Sequence, residues 1–308
     1  MILDDFTYFK PRTMAEAWAQ LSSRSGRIAL LAGGTDLLVR LKQGEPCPEL
    51  LVDIKELGLG ELVFDSANGL TIGAAAPLNE VCAHTDVRLF YPALHQAAIS
   101  IASHQIRNRA TIGGNLCNAA PSADTAPPLI IYDATAVITG PGDTQTSEEV
   151  EKQITRKISV ENFIIGPGRT VLLPAEILKE VRLPLPKPGS GSAYVKLSRT
   201  EKDIAIVGVA ALVRVSAQGV CTDVRIALGA VAPTPIRALR AEELLQGRQL
   251  DDELLARAAA TAASEASPID DVRASATYRR DMIRELTRDA LKKALLHCKR
   301  QEREDAGK

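Results

Sequence analysis

Residues 110–124 read ATIGGNLCNAAPSAD, and residues 31–37 read LAGGTDL. Each stretch sets a glycine doublet straight after an apolar segment: Gly33-Gly34 in the first loop, Gly113-Gly114 in the second. Glycine has no Cβ, so its backbone can approach a ligand closely and adopt positive φ. Successive N–H groups in such turns form a concave nest for phosphate oxygens. Thr35, Thr111 and Asn115 add neutral hydrogen-bonding groups, and neither loop holds a Lys or Arg. The two together read as loops from different subdomains that clamp a diphosphate with main-chain dipoles. One Gly-Gly doublet alone is equally at home in a tight turn, and the spacing by itself does not name the ligand.

The segments around the loops give the architecture. Thr13 and Glu16 form a capping box ahead of Met14, Ala17 and Leu21, which starts a short helix. Ile28–Leu31 and Leu50–Ile54 are apolar runs of strand length. With that helix they predict a small β-α-β unit over about residues 1–57. From about 58 to 183 the pattern changes. Leu62–Phe64 and Leu70–Ile72 flank Asn68-Gly69, a hairpin turn. Pro77 opens one helix, Pro92–Ile101 forms another, and Ala134–Thr139 reads as a strand. Gly140–Lys157 is polar and predicts a mobile surface loop.

Pro184, Pro186 and Pro188, followed by Gly189 and Gly191, mark a boundary. This divides the chain into 1–183 and 184–308. Past it, Ala193–Leu197, Ile204–Val215 and Val224–Ala232 suggest a three-stranded antiparallel meander. Helices follow at Ala238–Gln246 and Asp251–Glu265, with a long one ending near Cys298 and a charged tail, Lys299–Lys308, that should fray. The apolar positions of these helices read as core packing, and part of their outer surface is a candidate contact for partner subunits or a second copy.

Composition limits the function. The 308 residues are 45% hydrophobic and 24% charged, ordinary for a globular protein. Lys+Arg 37 against Asp+Glu 38 gives a net charge of -1, which disfavours a nucleic-acid binder. No apolar run reaches membrane-span length, so no transmembrane segment is expected, and the start Met1–Phe6 lacks a signal core, which points to the cytoplasm. The five cysteines include no C-x-x-C pair, and His84, His95, His104 and His297 lack metal-pair spacing. There is no P-loop, G-x-G-x-x-G, H-E-x-x-H or G-x-S-x-G. No acid–base pair or nucleophile set stands out.

On AGGTD at 32–36, ATIGGNLCNAAPSAD at 110–124, Gln105–Asn108, and Lys196–Arg199 with Asp203–Ala205, the chain resembles the FAD-binding medium subunit of the molybdenum hydroxylases. Xanthine dehydrogenase, aerobic carbon monoxide dehydrogenase and 4-hydroxybenzoyl-CoA reductase belong to that family. The resemblance runs through nearly the whole chain in order. It implies an α+β fold: a two-subdomain FAD-binding domain of the vanillyl-alcohol-oxidase (PCMH) type, followed by a small domain with a three-stranded antiparallel sheet and helices. It implies that Ala32, Gly33, Gly34, Thr35, Asp36 and Leu37 line one side of the FAD pyrophosphate and Thr111, Ile112, Gly113, Gly114 and Asn115 the other. Asp124 would bond a hydroxyl or ring edge, away from the phosphates. Ile101 would pack on the cofactor, Leu178 or Lys179 would touch the ring, and Tyr194 and Lys196 would reach the isoalloxazine.

The resemblance also implies partners: a small subunit with two [2Fe-2S] clusters and a large molybdopterin subunit, in a dimer of heterotrimers. FAD would take electrons from the clusters and hand them to an external acceptor. NAD, quinone, ferredoxin and oxygen all remain open as acceptors, and the substrate of the complex is not written in this chain. A stand-alone FAD-dependent oxidoreductase of the wider PCMH class is the rival reading. Several residues carry plainer alternatives. Asp36 and Asp124 could cap helices, Tyr194 could be packing, and Arg107 and Arg109 could be phosphate ligands, solvated or at an interface. Lys202 and Asp203 read as an exposed loop, and Cys117 as a small packed residue with no extra iron–sulfur cluster beside it.

Overall fold

The computed structural model describes residues 5–23, 26–142 and 153–306. The first sheet is parallel, with Leu50–Asp53 between Thr7–Phe9 and Ile28–Leu31. Half of the capping box forms as read, with Thr13 Oγ1 accepting from the Glu16 N–H at 3.2 Å; the Glu16 carboxylate accepts from the Arg12 N–H, one residue before Thr13, at 2.7 Å. The helix it starts, Met14–Ser23, buries Ala17 and Trp18 against Leu50 and Val52. Strand Thr7–Phe9 is an addition to the β-α-β unit, three residues long and mostly exposed.

The second sheet has five antiparallel strands in the order Leu62–Asp65, Gly69–Gly73, Ile177–Leu183, Thr135–Gly140, Ile154–Ser159. The Asn68-Gly69 turn is present, with Gly69 at φ 94. Ile154–Ser159 corrects the expected loop over 140–157. It is an edge strand whose exposed Thr155, Lys157 and Ser159, with Arg156 turned to Glu176, gave its sequence a polar look, as exposed edges often do. The rest of that stretch, 143–152, lies outside the described residues. Helices from Leu78–Ala83 to Ala126–Ile131 pack on this sheet.

The third sheet contains the expected meander, Ser190–Leu197, Val207–Val215 and Cys221–Gly229. A two-residue strand, Ile236–Arg237, extends it to four. Val207–Val215 is buried on both faces, which explains its unbroken apolar sequence. Side chains alternate along a strand. Val207, Val209, Ala211, Val213 and Val215 enter a core shared with the C-terminal helices, whereas Ala210 and Leu212 enter the core of the second sheet. This sheet is therefore the wall between two cores. The same alternation sends Ala193, Val195 and Leu197 one way and Tyr194 the other. The long helix Ala276–Ala306 closes the outer face and extends into the segment expected to fray, 299–308, whose last two residues lie outside those described. No described helix is long and apolar enough to cross a membrane.

Candidate functional site

A cleft of about 560 Å³ lies where all three parts of the chain meet, within the size range of small-molecule sites. Both glycine loops line it. So do Ile101, Asp124, Leu178, Lys196, Ile204, and Lys202 and Asp203, which the sequence suggested were only an exposed loop.

The two loops are not equivalent. The first leaves strand Ile28–Leu31 and enters the short helix Leu37–Lys42. Among the described residues, none of the N–H groups of Gly33, Gly34, Thr35, Asp36 and Leu37 donates to a protein acceptor. Gly34 sits at φ 75, the left-handed region that favours glycine. Lys55 Nζ approaches the Ala32 carbonyl at 3.4 Å and bonds Asp53 at 2.6 Å, which ties the loop's start to the first sheet.

The second loop spends its donors from Ile112 to Asn115, and only the Thr111 N–H has no described acceptor. Ile112 N–H goes to the Ala76 carbonyl at 3.4 Å, Gly113 to Ala74 at 2.9 Å, Asn115 to Thr111 at 3.0 Å. Gly114 goes to Thr111 Oγ1 at 2.9 Å, because Thr111 caps helix Ile112–Cys117. The expectation of two matching N–H nests is thus corrected: the nest is the first loop alone. What the second loop offers is space and one amide. A Cβ on Gly113 would run into the Ala74 backbone, whereas a Cβ on Gly114 would meet only Thr111 Oγ1, at 3.0 Å. Asn115 Oδ1 accepts from Thr125 Oγ1 at 2.6 Å, which leaves its NH₂ without a described acceptor. Gly33 docks the loops together, since a Cβ there would overlap the Arg109 carbonyl.

Asp124 and Lys196 form a buried pair with side chains 9% and 6% exposed, Nζ to Oδ2 3.0 Å. Tyr194 donates to Asp124 Oδ1 at 2.7 Å, and Lys196 also donates to the Ser100 carbonyl at 3.3 Å. Burial pushes the Asp124 carboxyl up against the pull of Lys196 and its hydrogen bonds. Burial beside that carboxylate pushes the Tyr194 phenol well above its usual range. Neither acid caps a helix through its side chain: Asp36 holds the N-cap position of Leu37–Lys42 but makes no capping bond, and Asp124 serves Tyr194 and Lys196. Asp36 is raised by partial burial, which Arg40 opposes.

Three expected ligands turn away from the cleft. Ile112 is fully buried in the core of the second sheet. Lys179 sits at a bulge between Leu178 and Glu180, with its carbonyl taken by the Ala74 N–H at 2.9 Å. Tyr194 lies behind Asp124, its ring over Gly208, where a Cβ would strike its hydroxyl. Arg107 is neither a phosphate ligand nor solvated. It is buried, and donates to the carbonyls of Ile101 at 2.8 Å and Ala102 at 3.0 Å. It thereby holds the turn at Ala102, φ 42, that presents Ile101. Cys117 lines the cleft with its thiol pushed up to about 12 by burial, a neutral packed residue.

A family profile described as the FAD binding domain in molybdopterin dehydrogenase matches residues 4–186, and one described as the CO dehydrogenase flavoprotein C-terminal domain matches residues 192–294. The chain is an FAD-binding subunit of the molybdenum hydroxylase family. It is 34% identical to the xanthine dehydrogenase FAD-binding subunit of Escherichia coli O157:H7, over 96% of this chain and 97% of that one. It is 32% identical to the carbon monoxide dehydrogenase medium chain of Hydrogenophaga pseudoflava, over 97% and 100%. A solved carbon monoxide dehydrogenase from Hydrogenophaga pseudoflava, lacking the Mo-pyranopterin moiety of the molybdenum cofactor, superposes with a TM-score of 0.89 at 33% identity, over 97% of this chain and 100% of that one. Quinoline 2-oxidoreductase from Pseudomonas putida 86 gives 0.86 at 27%, over 97% and 99%.

The residues present fit FAD. The open N–H run suits a diphosphate, and the Gly114 face leaves room for it. The apolar Ile101 and Leu178 suit a flat ring, and the Asp124–Lys196 pair suits the ring's polar edge.

Proposed function

We propose that this FAD-binding subunit relays electrons from the two [2Fe-2S] clusters of a small subunit to an external acceptor, in a complex whose large subunit carries the molybdenum cofactor. A dimer of such heterotrimers is part of the reading. Residues 1–183 form the FAD-binding domain, with subdomains of about 1–57 and 58–183, and 184–308 form the C-terminal domain. The observation that carries the assignment is the run of unspent N–H groups from Gly33 to Leu37, facing one cleft with Lys196 and Asp124.

Bound FAD supplies one- and two-electron redox chemistry. The chain's residues position it. Ala32–Leu37 hold the diphosphate by main-chain dipoles. Thr111, Gly113, Gly114 and the Asn115 amide form the facing wall. Ile101 and Leu178 exclude water from the ring. Lys196 has three N–H donors, of which Asp124 and Ser100 take two, so the third is free for a ring oxygen or nitrogen. Tyr194 acts through Asp124, fixing the carboxylate that orients Lys196.

The relay requires a docked donor. Titrating the flavin-loaded chain with the reduced small subunit should give a stable complex and bleach the flavin absorbance. Loss of both association and bleaching, or substrate turnover by the chain alone as a stand-alone oxidoreductase would show, overturns the relay.

A further inference from the structure

We infer that Arg40 is the cation this chain offers to the diphosphate of its cofactor, an inference that rests on reading the cleft as the FAD site. Among the described residues, three cations line the cleft: Arg40, Lys196 and Lys202. Lys196 is held by Asp124 at 3.0 Å, and Lys202 by Glu201 at 2.8 Å. Arg40 differs from both. Its Nε is shielded from solvent and donates to nothing. The acid nearest it, Glu45, stands 3.7 Å from Nε, beyond hydrogen-bond reach, and its side chain is half exposed.

The position matches the donors already open. Arg40 follows Asp36 by four residues, one turn along helix Leu37–Lys42, and its charge acts on the Asp36 carboxyl. That carboxylate belongs to the loop that carries the free N–H groups and would repel a diphosphate. Arg40 screens it and presents a planar fork of donors suited to phosphate oxygens. Main-chain dipoles then set the geometry of the phosphates, and Arg40 supplies the charge that the glycine loops lack.

The test uses the full chain freed of flavin, titrated with FAD and with riboflavin, which carries no phosphate, at low and high salt. R40M should weaken FAD binding by about 10–100-fold, the range for a charge-assisted hydrogen bond. Riboflavin binding should not change, and the salt dependence of FAD binding should flatten. R40K should recover part of the loss. K42M, an exposed lysine on the same helix outside the cleft, should match wild type. Equal FAD affinity and salt dependence in wild type and R40M overturn the inference alone, as does an equal loss for riboflavin and FAD. A wild-type chain that takes up no FAD overturns both the inference and the reading beneath it.

Discussion

Gly114→Trp gives a folded protein that no longer retains FAD. The Gly114 Cα faces the cleft, and a Cβ there meets only Thr111 Oγ1 at 3.0 Å. A few tenths of an ångström of relaxation accommodates it. The indole then occupies the space between the loops, and tryptophan costs a helix less than glycine does. Flavin affinity should fall by at least about 100-fold while Tm moves by no more than about 2–4 °C, the equivalent of about 1 kcal/mol. Gly33→Val behaves in the opposite way. Its Cβ would overlap the Arg109 carbonyl and come within 3.0 Å of Ala110 Cα. Both obstacles are backbone, so the loops must separate, at a cost of about 1–3 kcal/mol or more. Parallel Tm and flavin-content measurements distinguish the two. A flavin-loaded Gly114→Trp protein, or a Gly33→Val protein as stable as wild type, contradicts the geometry described above.

Asp124→Ala should be the most destabilising single change in the cleft. It strands Lys196, 6% exposed, without its counter-ion, and leaves the Tyr194 hydroxyl without its acceptor. Removing one member of a buried pair costs about 3–5 kcal/mol, most of it from the uncompensated charge. That is a large share of the ~5–15 kcal/mol by which domains are stable. Asp124→Ala with Lys196→Met removes both charges and should recover most of the loss, whereas Tyr194→Phe alone should cost about 1 kcal/mol. A double-mutant cycle by chemical denaturation measures the coupling. If the double variant is as unstable as the sum of the two singles, Asp124 and Lys196 are not a pair, and the orientation of Lys196 needs another explanation.

Much of the site was legible because its markers are local. Both glycine doublets and the strand that carries Lys196 follow from short sequence patterns. What was not legible depended on distant partners. The two loops looked alike, and the carbonyls of Ala74 and Ala76, far upstream, with the Thr111 side chain and carbonyl inside the loop, take the N–H groups of Ile112 to Asn115. Tyr194 and Lys196 share a strand face, as alternation requires, but depth and the gap over Gly208 decide that one touches the cleft and the other touches Asp124. Arg107 looked like a surface charge because the positive φ of Ala102, whose turn it holds, falls on a residue type that gives no sign of it. Arg40 lies outside both motifs and enters the site only through the turn of its helix. In the fold, strand Ile154–Ser159 was hidden by its own edge charges.

The most direct test of the central claim is the cofactor content of the purified chain, read as an absorbance spectrum with the released compound identified by mass. One FAD per chain, with flavin bands in the visible, is the expected result. A colourless chain that refuses added FAD, both alone and with its partner subunits present, would contradict it.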